Sequence, residues 1–243
     1  MPSLTPDAYL AAIDVTWAPG RLVQAGQWCV RAGACGGQRV SAATAMAPLA
    51  SLCDMIEAQH ALGQPPLVMV RDGEGDLDAR LHQAGFRLND PVRVLSVDPA
   101  AWPRAPQDAY QTTRTDSPLA IQAEIWAEDG IGPARLAVMD RVQAPKTYLL
   151  GRHGDVPVGV GFVALDGPLA MLHGFYVRAE ARGQGVGSRM LREAADWARA
   201  QGAQALSVLV REATPGALAL YTKRGMEEVT RYHYRVLDTR SET

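Results

Sequence analysis

Cysteine is scarce in this 243-residue chain. The three cysteines, Cys29, Cys35 and Cys53, form no C-x-x-C pair, and an odd number of them cannot all be joined within the chain. So sparse a set indicates neither a disulfide framework nor a zinc site. Each is expected to be a free thiol, with Cys53 packed as a small apolar side chain on a predicted helix.

Long apolar runs and a strong net charge are also lacking. No hydrophobic segment approaches the length of a transmembrane helix, and residues 1–10 show no basic segment followed by an apolar stretch. The formal net charge is −2, and the basic residues are scattered among acidic ones. These absences predict a cytoplasmic globular protein that binds neither nucleic acid nor a membrane.

What the chain does contain is enough apolar material for a sizeable core, since 47% of its residues are hydrophobic. Its length permits one large domain or two small ones. Pro99, Pro103 and Pro106 fall close together near the middle of the chain. Because proline removes backbone donors and restricts the residue before it, residues 99–108 are expected to be an extended linker or strand edge.

An internal repeat supports a division at this linker. When Gly85 is aligned with Gly225 without gaps, residues 70–71 and 210–211 are both Val-Arg. In each copy an apolar strand leads through a polar loop to a helix, a glycine and another strand. The repeat predicts an α/β fold of two tandem domains, at residues 1–100 and 106–240, each a mixed, mostly antiparallel sheet flanked by helices.

Hydrophobic periodicity predicts the elements of the second half. An apolar face formed by Val186, Met190 and Ala194, followed by Gly202, indicates a helix over 186–201. A second helix is expected over 216–224. Strands are predicted over 146–152, 156–165, 169–177, 205–210 and near 226–237.

A glycine-rich loop joins the third of these strands to the long helix. The first turn of a helix has unpaired N–H groups and a partial positive charge, which together favour a phosphate. Glycines let the backbone approach such an anion closely, and an arginine adds a cation suited to phosphate oxygens. The loop matches neither the nucleotide P-loop nor the dinucleotide fingerprint. Its residues are Arg182, Gly183, Gln184, Gly185, Val186 and Gly187.

Together with the strand end that precedes it, this loop resembles motif A of the GCN5-related N-acetyltransferase (GNAT) family. Ala179 stands where the family usually has proline, and Gly225-Met226 stands where it commonly has Gly-Phe. The resemblance covers roughly the second half of the chain and implies a catalytic GNAT domain there. It also implies that the first half is a degenerate GNAT-like copy, with residues 42–47 in place of the phosphate loop and Leu81 in place of Tyr221.

The resemblance implies acetyl-CoA as co-substrate and no metal. The backbone of Phe175, Tyr176 and Val177 should pair with the pantetheine arm, with an N–H near Val177 stabilising the oxyanion of the thioester. Residues 182–187 should bind the pyrophosphate. Thr214 stands where the family often has asparagine, so it is a candidate cofactor contact as well as a helix cap.

Two residues are candidate catalysts by the same resemblance. Tyr221, four residues before Gly225, is the candidate acid that protonates the departing thiolate, and His173 is a candidate base on the same strand face as Phe175. Ordinary core positions would also suit both residues. Three carboxylates could instead receive a cationic amine: Glu124, Glu128 and Asp129.

These features predict an N-acetyltransferase that moves an acetyl group from acetyl-CoA to a primary amine of a small molecule. Transfer would be direct, within a ternary complex, and the protein would be a monomer or a homodimer. One alternative is a non-catalytic CoA-binding sensor or scaffold. Another is a peptide or protein N-acetyltransferase, which would need an open groove beside residues 128–135.

Overall fold

The computed structural model describes residues 4–104 and 111–238. They form two compact units that are not contiguous in sequence. The larger unit comprises Met1–Ala18, Val94–Leu209 and Gly216–Val229, and the smaller unit comprises Pro19–Arg93, Val210–Pro215 and Thr230–Thr243. Each unit therefore takes segments from both sides of the predicted boundary, whereas the domains expected at 1–100 and 106–240 are contiguous.

The described residues contain both helices and strands, interspersed along the chain. The stretches 146–153, 156–166 and 169–177 are strands, and 186–200 is a helix, so hydrophobic periodicity predicted these elements to within one residue. In chain order the elements are α1 (Pro6–Thr16), β1 (Arg21–Ala25), β2 (Trp28–Ala32), β3 (Ala43–Ala45), α2 (Leu52–Ala61), β4 (Leu67–Arg71), α3 (Gly75–Gln83), β5 (Arg87–Val97), β6 (Thr112–Thr115), α4 (Ala120–Glu128), α5 (Pro133–Arg141), β7 (Lys146–His153), β8 (Val156–Asp166), β9 (Leu169–Val177), α6 (Val186–Ala200), β10 (Ala205–Arg211), α7 (Pro215–Lys223) and β11 (Glu227–Val236).

Residues 99–101, at the start of the proline-rich segment, are not extended as predicted. Pro99–Ala101 form a short 3-10 turn, and the Asp98 carboxylate accepts a hydrogen bond from the Ala100 amide at its start. The next residue, Trp102, is buried and donates from Nε1 to the carbonyl of Arg224 at 2.7 Å. An extended linker is therefore wrong for residues 99–101, because a cap and a buried indole fix this stretch. Pro106 lies outside the described residues.

In the larger unit the strand order is β5-β10-β9-β8-β7-β6, with β9 and β10 parallel and the pairs β6–β7, β7–β8 and β8–β9 antiparallel. Helix α6 packs on one face of this sheet. Gly151 and Gly159 lie directly beneath the Met190 side chain, and a Cβ atom at either glycine would overlap its sulfur. Helices α1 and α4 pack on the other face, against β8 and β9.

In the smaller unit the strands are ordered β1-β2-β3-β4-β11. The β1–β2–β3 meander is antiparallel, β3 runs parallel to β4, and β4 pairs antiparallel with β11. Its core includes Trp28, Met55, Leu81 and Phe86. Residues 43–45 form strand β3, so the expectation that residues 42–47 occupy the place of the phosphate loop is wrong. The segment between β3 and α2 is 46–51.

The cysteines are free thiols, as expected, but Cys53 is exposed on α2 rather than packed. Its position on the helix was predicted correctly. The orientation was not, because one residue of a short helix does not reveal which face is buried. None of the described helices combines the length and apolar character needed to cross a bilayer.

A carboxylate joins α3 to β11 in the smaller unit. Asp78 Oδ1 accepts from His233 Nε2 at 2.6 Å and from Arg235 Nε at 2.7 Å, and Asp78 Oδ2 accepts from Arg235 Nη2 at 2.8 Å. Arg235 also donates to the Phe86 carbonyl. The hydrogen bond from Arg235, followed by that from His233, lowers the pKa of Asp78 to about 2. The hydrogen bonds of Asp78 with Arg235 and His233 stabilise the folded state in this way only while Asp78 is ionised.

We expect Asp78→Asn to lower the free energy of unfolding by about 1–3 kcal/mol at neutral pH, because a charge-assisted hydrogen bond is lost. The deficit should shrink as the pH falls below about 4, the pKa of an unfolded aspartate, towards the folded pKa of about 2. Urea unfolding followed by circular dichroism between pH 7 and pH 2 measures it. Asp76→Asn, an exposed carboxylate in the same helical turn, is the control. A deficit independent of pH would contradict this assignment.

Candidate active site

The two parallel strands of the larger unit pair over only part of their length. Residues 205–208 of β10 pair with residues 169–172 of β9. Strand β9 then continues to Val177, and its last four residues are only partly buried. Beyond Leu172 the parallel pairing has ended, so the edge of β9 can accept an extended ligand as an added strand. The predicted pantetheine contacts Phe175, Tyr176 and Val177 all lie in this stretch.

A β-bulge interrupts β9 immediately before these residues. Phe162 of β8 pairs with His173, but Val160 pairs with Tyr176, so one residue of β8 opposes two of β9. Gly174 has φ +53° at this point, and its carbonyl accepts a hydrogen bond from Trp126 Nε1 at 2.7 Å. A Cβ atom at Gly174 would lie 3.1–3.3 Å from Trp126, Met139 and Ile131 side chains. Both backbone conformation and space therefore require glycine here.

The bulge places His173 and Phe175 on opposite faces of the sheet. Phe175 contacts the α6–α7 side, where its ring centroid lies 6.3 Å from that of Tyr221. His173 contacts the α1 side, with Trp17 at 5.2 Å between ring centroids. The expectation that His173 and Phe175 share a face is wrong, because the period-two alternation of a strand does not continue through a bulge.

The glycine-rich loop lies between the end of β9 and the start of α6. Gly183 and Gly185 both have positive φ, +75° and +81°, and Gly185 is the N-cap residue of α6. As a glycine it offers no side-chain cap to the first amides of the helix. A Cβ atom at Gly187 would lie 3.4 Å from Leu220 and 3.7 Å from Phe175. Residues 182–185 are exposed and the first turn of α6 has no side-chain cap, features that favour an anion at a helix N-terminus.

Arg182 links this loop to the strand. Its Nε donates to the Val177 carbonyl at 3.0 Å, and its guanidinium carbon lies 5.6 Å from the centre of the Tyr176 ring. Gln184 Nε2 donates to the Glu180 carbonyl at 2.8 Å, which closes the loop on itself. The predicted pyrophosphate-binding residues and the predicted pantetheine-binding strand are thus brought together.

Tyr221 lies on α7 and is 5% exposed. Burial raises the pKa of its phenol above the ordinary value of a tyrosine, so the hydroxyl keeps its proton at neutral pH. Its ring lies beside Phe175, at the end of β9 where the parallel pairing has ceased. A protonated donor thus lies next to the candidate pantetheine-binding edge.

His173 is buried, at 3% exposure, and its Nε2 lies 2.9 Å from Thr16 Oγ1. Thr214 belongs to the smaller unit, where its hydroxyl donates to the Arg211 carbonyl at 2.7 Å. The Thr214 hydroxyl thus bonds to a carbonyl of β10, whereas a helix cap would accept from an amide of α7. The structure therefore places Tyr221 beside Phe175 of β9, and His173 on the opposite face of the same strand.

Of the three candidate carboxylates, Glu128 has an ion partner that sequence reasoning missed. Arg178, the residue that follows β9, lies with Nε 3.0 Å and Nη2 2.5 Å from the Glu128 carboxylate, and Nη1 donates to the Pro157 carbonyl. This hydrogen bonding lowers the pKa of Glu128. Glu124 and Asp129 are exposed. No sequence pattern pointed to the pair, because its members are 50 residues apart.

Sequence reasoning also missed Trp126 and Thr16. The hydrogen bonds to Gly174 and His173 cross from helices to a strand, so no local spacing indicates them. Across residues 4–104 and 111–238, no three His, Cys, Asp or Glu side chains are grouped as metal ligands would be.

Similarity to known proteins agrees with this geometry. Residues 100–226 match the model of the acetyltransferase (GNAT) family. The uncharacterized N-acetyltransferase YobR of Bacillus subtilis (strain 168) is 26% identical over 123 residues, which are 47% of this chain and 50% of that protein. The chain thus spans about half the length of this curated relative.

Two solved structures have similar folds at low sequence identity. A GCN5-related N-acetyltransferase from Kribbella flavida superimposes with a TM-score of 0.69 at 19% identity, covering 97% of each chain. A tandem GNAT protein from the clavulanic acid biosynthesis pathway has a TM-score of 0.56 at 13% identity, covering 79% of this chain and 69% of that one. At these identities the similarity concerns the fold. Since the family model matches more than half of the sequence, the chain belongs to the GNAT family of acetyltransferases.

Proposed function

We propose that this chain is an N-acetyltransferase that moves an acetyl group from acetyl-CoA to a primary amine of a small molecule. The observation that carries the proposal is a coincidence of three features in the larger unit. Strand β10 stops pairing with β9 after Leu172, so the edge of β9 is open beyond that residue. The glycine loop 182–187 leads from the end of β9 into α6, and Tyr221 lies beside Phe175.

Binding of the donor rests on backbone groups. The N–H and C=O groups of residues 175–177 pair with the amides of the pantetheine arm, and the first amides of α6 bind the pyrophosphate. Arg182 already donates to the Val177 carbonyl, so its guanidinium lies within reach of both sites. A backbone N–H near Val177 stabilises the negative charge that develops on the thioester oxygen.

Tyr221 serves as the general acid. A coenzyme A thiolate is the leaving group, and a positioned phenol that has kept its proton can supply it. The phenol is protonated at neutral pH, as that of any ordinary tyrosine is, and burial raises its pKa further. Direct transfer needs no covalent enzyme intermediate, so none of the three free thiols has a role in it.

His173 serves as the general base. An alkylamine with a pKa near 10 is almost entirely protonated at neutral pH, and it must lose a proton before it can attack. Imidazole is the side chain whose unperturbed pKa suits this transfer. Its location on the face opposite Phe175 supports a model in which donor and acceptor approach β9 from different faces. The Glu128–Arg178 pair lies at the acceptor side, where α4 ends.

We also propose that the first half is a GNAT-like copy that has lost its cofactor site. The orders β1-β2-β3-α2-β4-α3-β5 and β7-β8-β9-α6-β10-α7-β11 are the same, and in both the third strand runs parallel to the fourth. The similarity to a tandem GNAT protein supports this interpretation.

The segment 46–51, which corresponds to the phosphate loop, has several carbonyl oxygens that accept hydrogen bonds from side chains. Arg80 donates to the carbonyls of Pro48 and Ala50, and Trp28 donates to that of Ser51. Arg71 donates to the Ala45 carbonyl at the end of β3. The Met46 and Ala50 amides donate to the Gln27 and Ala47 carbonyls, so these two N–H groups of the segment are already used within the protein rather than offered to an anion.

Gly185→Glu should weaken acetyl-CoA binding by about a hundredfold or more, because a carboxylate at the start of α6 repels phosphate and fills the loop. Gly202→Glu is the matched control, since Gly202 has φ +79° and follows the other end of the same helix. Calorimetric titration measures both. Unchanged affinity in Gly185→Glu would refute the loop as the pyrophosphate site.

Tyr221→Phe should lower kcat by about 10- to 100-fold, because the thiolate then leaves without a proton donor. The dissociation constant for acetyl-CoA should stay within about twofold, since the ring is retained. Thiol release during turnover measures kcat. Tyr9→Phe, which removes another buried phenol that is bonded to Ser96 Oγ, controls for the loss of a hydroxyl. A kcat equal to that of the unmodified chain would remove Tyr221 from the acid role.

Calorimetry should yield one acetyl-CoA site per chain, and Gly185→Glu should weaken that site as described above. A second site that survives this substitution would show that the first half still binds the cofactor. One site without turnover across a broad panel of amines would instead favour the CoA-binding sensor. Turnover of peptide N-termini in preference to small amines would favour a peptide acetyltransferase.

A further inference from the structure

Helix α4 is joined to β9 at two places, one on each side of the residues proposed to bind the acyl donor. On one side, Trp126 Nε1 donates to the Gly174 carbonyl at 2.7 Å. On the other, Arg178 Nε donates to Glu128 Oε2 at 3.0 Å, and Arg178 Nη2 donates to Glu128 Oε1 at 2.5 Å. Residues 175–177 lie between these two links. A single helix therefore holds both ends of the strand edge proposed to contact the thioester.

Arg178 also fixes the end of β9 on β8. Its amide donates to the Val158 carbonyl at 2.8 Å, and its Nη1 donates to the Pro157 carbonyl at 3.0 Å. The Arg178 carbonyl accepts from the Ala181 amide at 3.0 Å, in the short turn that leads to the glycine loop. This one residue is thus bonded to β8, to α4 and to the turn between the strand edge and the loop.

These bonds set the direction of the Val177 N–H. In an antiparallel pair of strands, the N–H groups of successive residues point alternately towards the partner strand and away from it. Because the Arg178 amide points to β8, the Val177 N–H points away from β8, towards the open edge of β9. The Val177 carbonyl agrees, since it accepts from Arg182 Nε. A rotation of the backbone at Arg178 would therefore redirect the Val177 N–H.

We propose that Arg178 is a positioning residue, whose ion pair with Glu128 fixes the direction of the Val177 N–H towards the thioester oxygen of acetyl-CoA. This inference rests on the proposed function and deepens it, because it gives α4 a part in stabilising the transition state. As the amine nitrogen bonds to the thioester carbon, negative charge collects on that oxygen, and a fixed N–H stabilises it. The ion pair acts through the backbone and exchanges no proton.

Such a pair should matter more to turnover than to stability. The side chain of Glu128 is 41% exposed and that of Arg178 is 21% exposed, and ion pairs in contact with solvent contribute little to the free energy of unfolding. The proposed pyrophosphate site lies in the loop that follows, so donor affinity should largely persist without the pair. An N–H that stabilises developing charge acts in the transition state, so its displacement lowers kcat.

The test is Glu128→Ala, which removes the carboxylate and leaves Arg178 its bonds to β8. We expect kcat to fall on the order of tenfold, while KM for acetyl-CoA stays within about threefold and the midpoint of thermal unfolding within about 4 °C. Arg114→Ala is the matched control, because Arg114 Nε forms another exposed ion pair of the larger unit, 2.9 Å from Glu193 Oε1. That pair joins β6 to α6, so its loss should leave kcat unchanged.

A double-variant cycle tests whether the two side chains act as one unit. Arg178→Ala should lower kcat at least as much as Glu128→Ala, because it also removes the bond to Pro157. Adding Glu128→Ala to Arg178→Ala should then change kcat by less than about twofold.

Amide hydrogen exchange of Glu128→Ala keeps the inference testable if Arg178→Ala does not fold. Loss of the carboxylate should loosen the end of β9, where the Arg178 amide is bonded to Val158. We expect this amide to exchange at least about threefold faster in Glu128→Ala than in the unmodified chain or in Arg114→Ala.

Three results would overturn the inference. They are an unchanged kcat in Glu128→Ala, losses of kcat that multiply in the double variant, and a fall in kcat accompanied by an equal loss of donor affinity or a large drop in the unfolding midpoint. In all three cases the unmodified chain still acetylates amines, so the proposed function survives. If it acetylates none, the proposed function itself fails, and unaltered exchange of the Arg178 amide in Glu128→Ala would overturn the positioning role separately.

Discussion

The hydrogen bond from Trp126 Nε1 to the Gly174 carbonyl holds a bulge in the central strand of the larger unit, and the rest of the candidate site depends on it. A regular strand would direct residues 173 and 175 to one face. The extra residue instead directs Phe175 towards Tyr221 and His173 towards Thr16. One strand can therefore present its edge to an acyl donor while its two faces carry the candidate acid and the candidate base.

A second constraint fixes the start of α6, where the phosphate would bind. Gly151 and Gly159 have no side chains on the face where Met190 packs, so the helix lies close to β7 and β8. Met190 and Val186 are almost fully buried there. Because the helix is rigid, this packing also sets the position of Gly185 at its first turn, next to the end of β9. Anion binding by backbone amides needs such fixed positions, since the amides themselves have no freedom to adjust.

The sequence was sufficient for features that depend on local spacing. The strand 169–177, the helix beginning at Val186 and the glycine loop between them could be predicted because periodicity and glycine placement are read within about 30 residues. The face of His173, its bond to Thr16 and the Glu128–Arg178 pair could not. Each depends on a bulge or on residues that are 50 to 157 positions apart, and no period in the sequence encodes such a distance.

The interleaved composition of the units gives a physical reason for the two halves of the chain to be retained together. In the larger unit the neighbour of β10 is β5, the last strand of the first half, and Ser207 Oγ donates to the Leu95 carbonyl at 2.9 Å. In the smaller unit β4 pairs with β11, the last strand of the second half. Helix α1, which carries Thr16, also belongs to the larger unit. Removing the first half would therefore expose the edge of β10 and take away the hydroxyl that contacts His173, so the second half depends on the first for its structure.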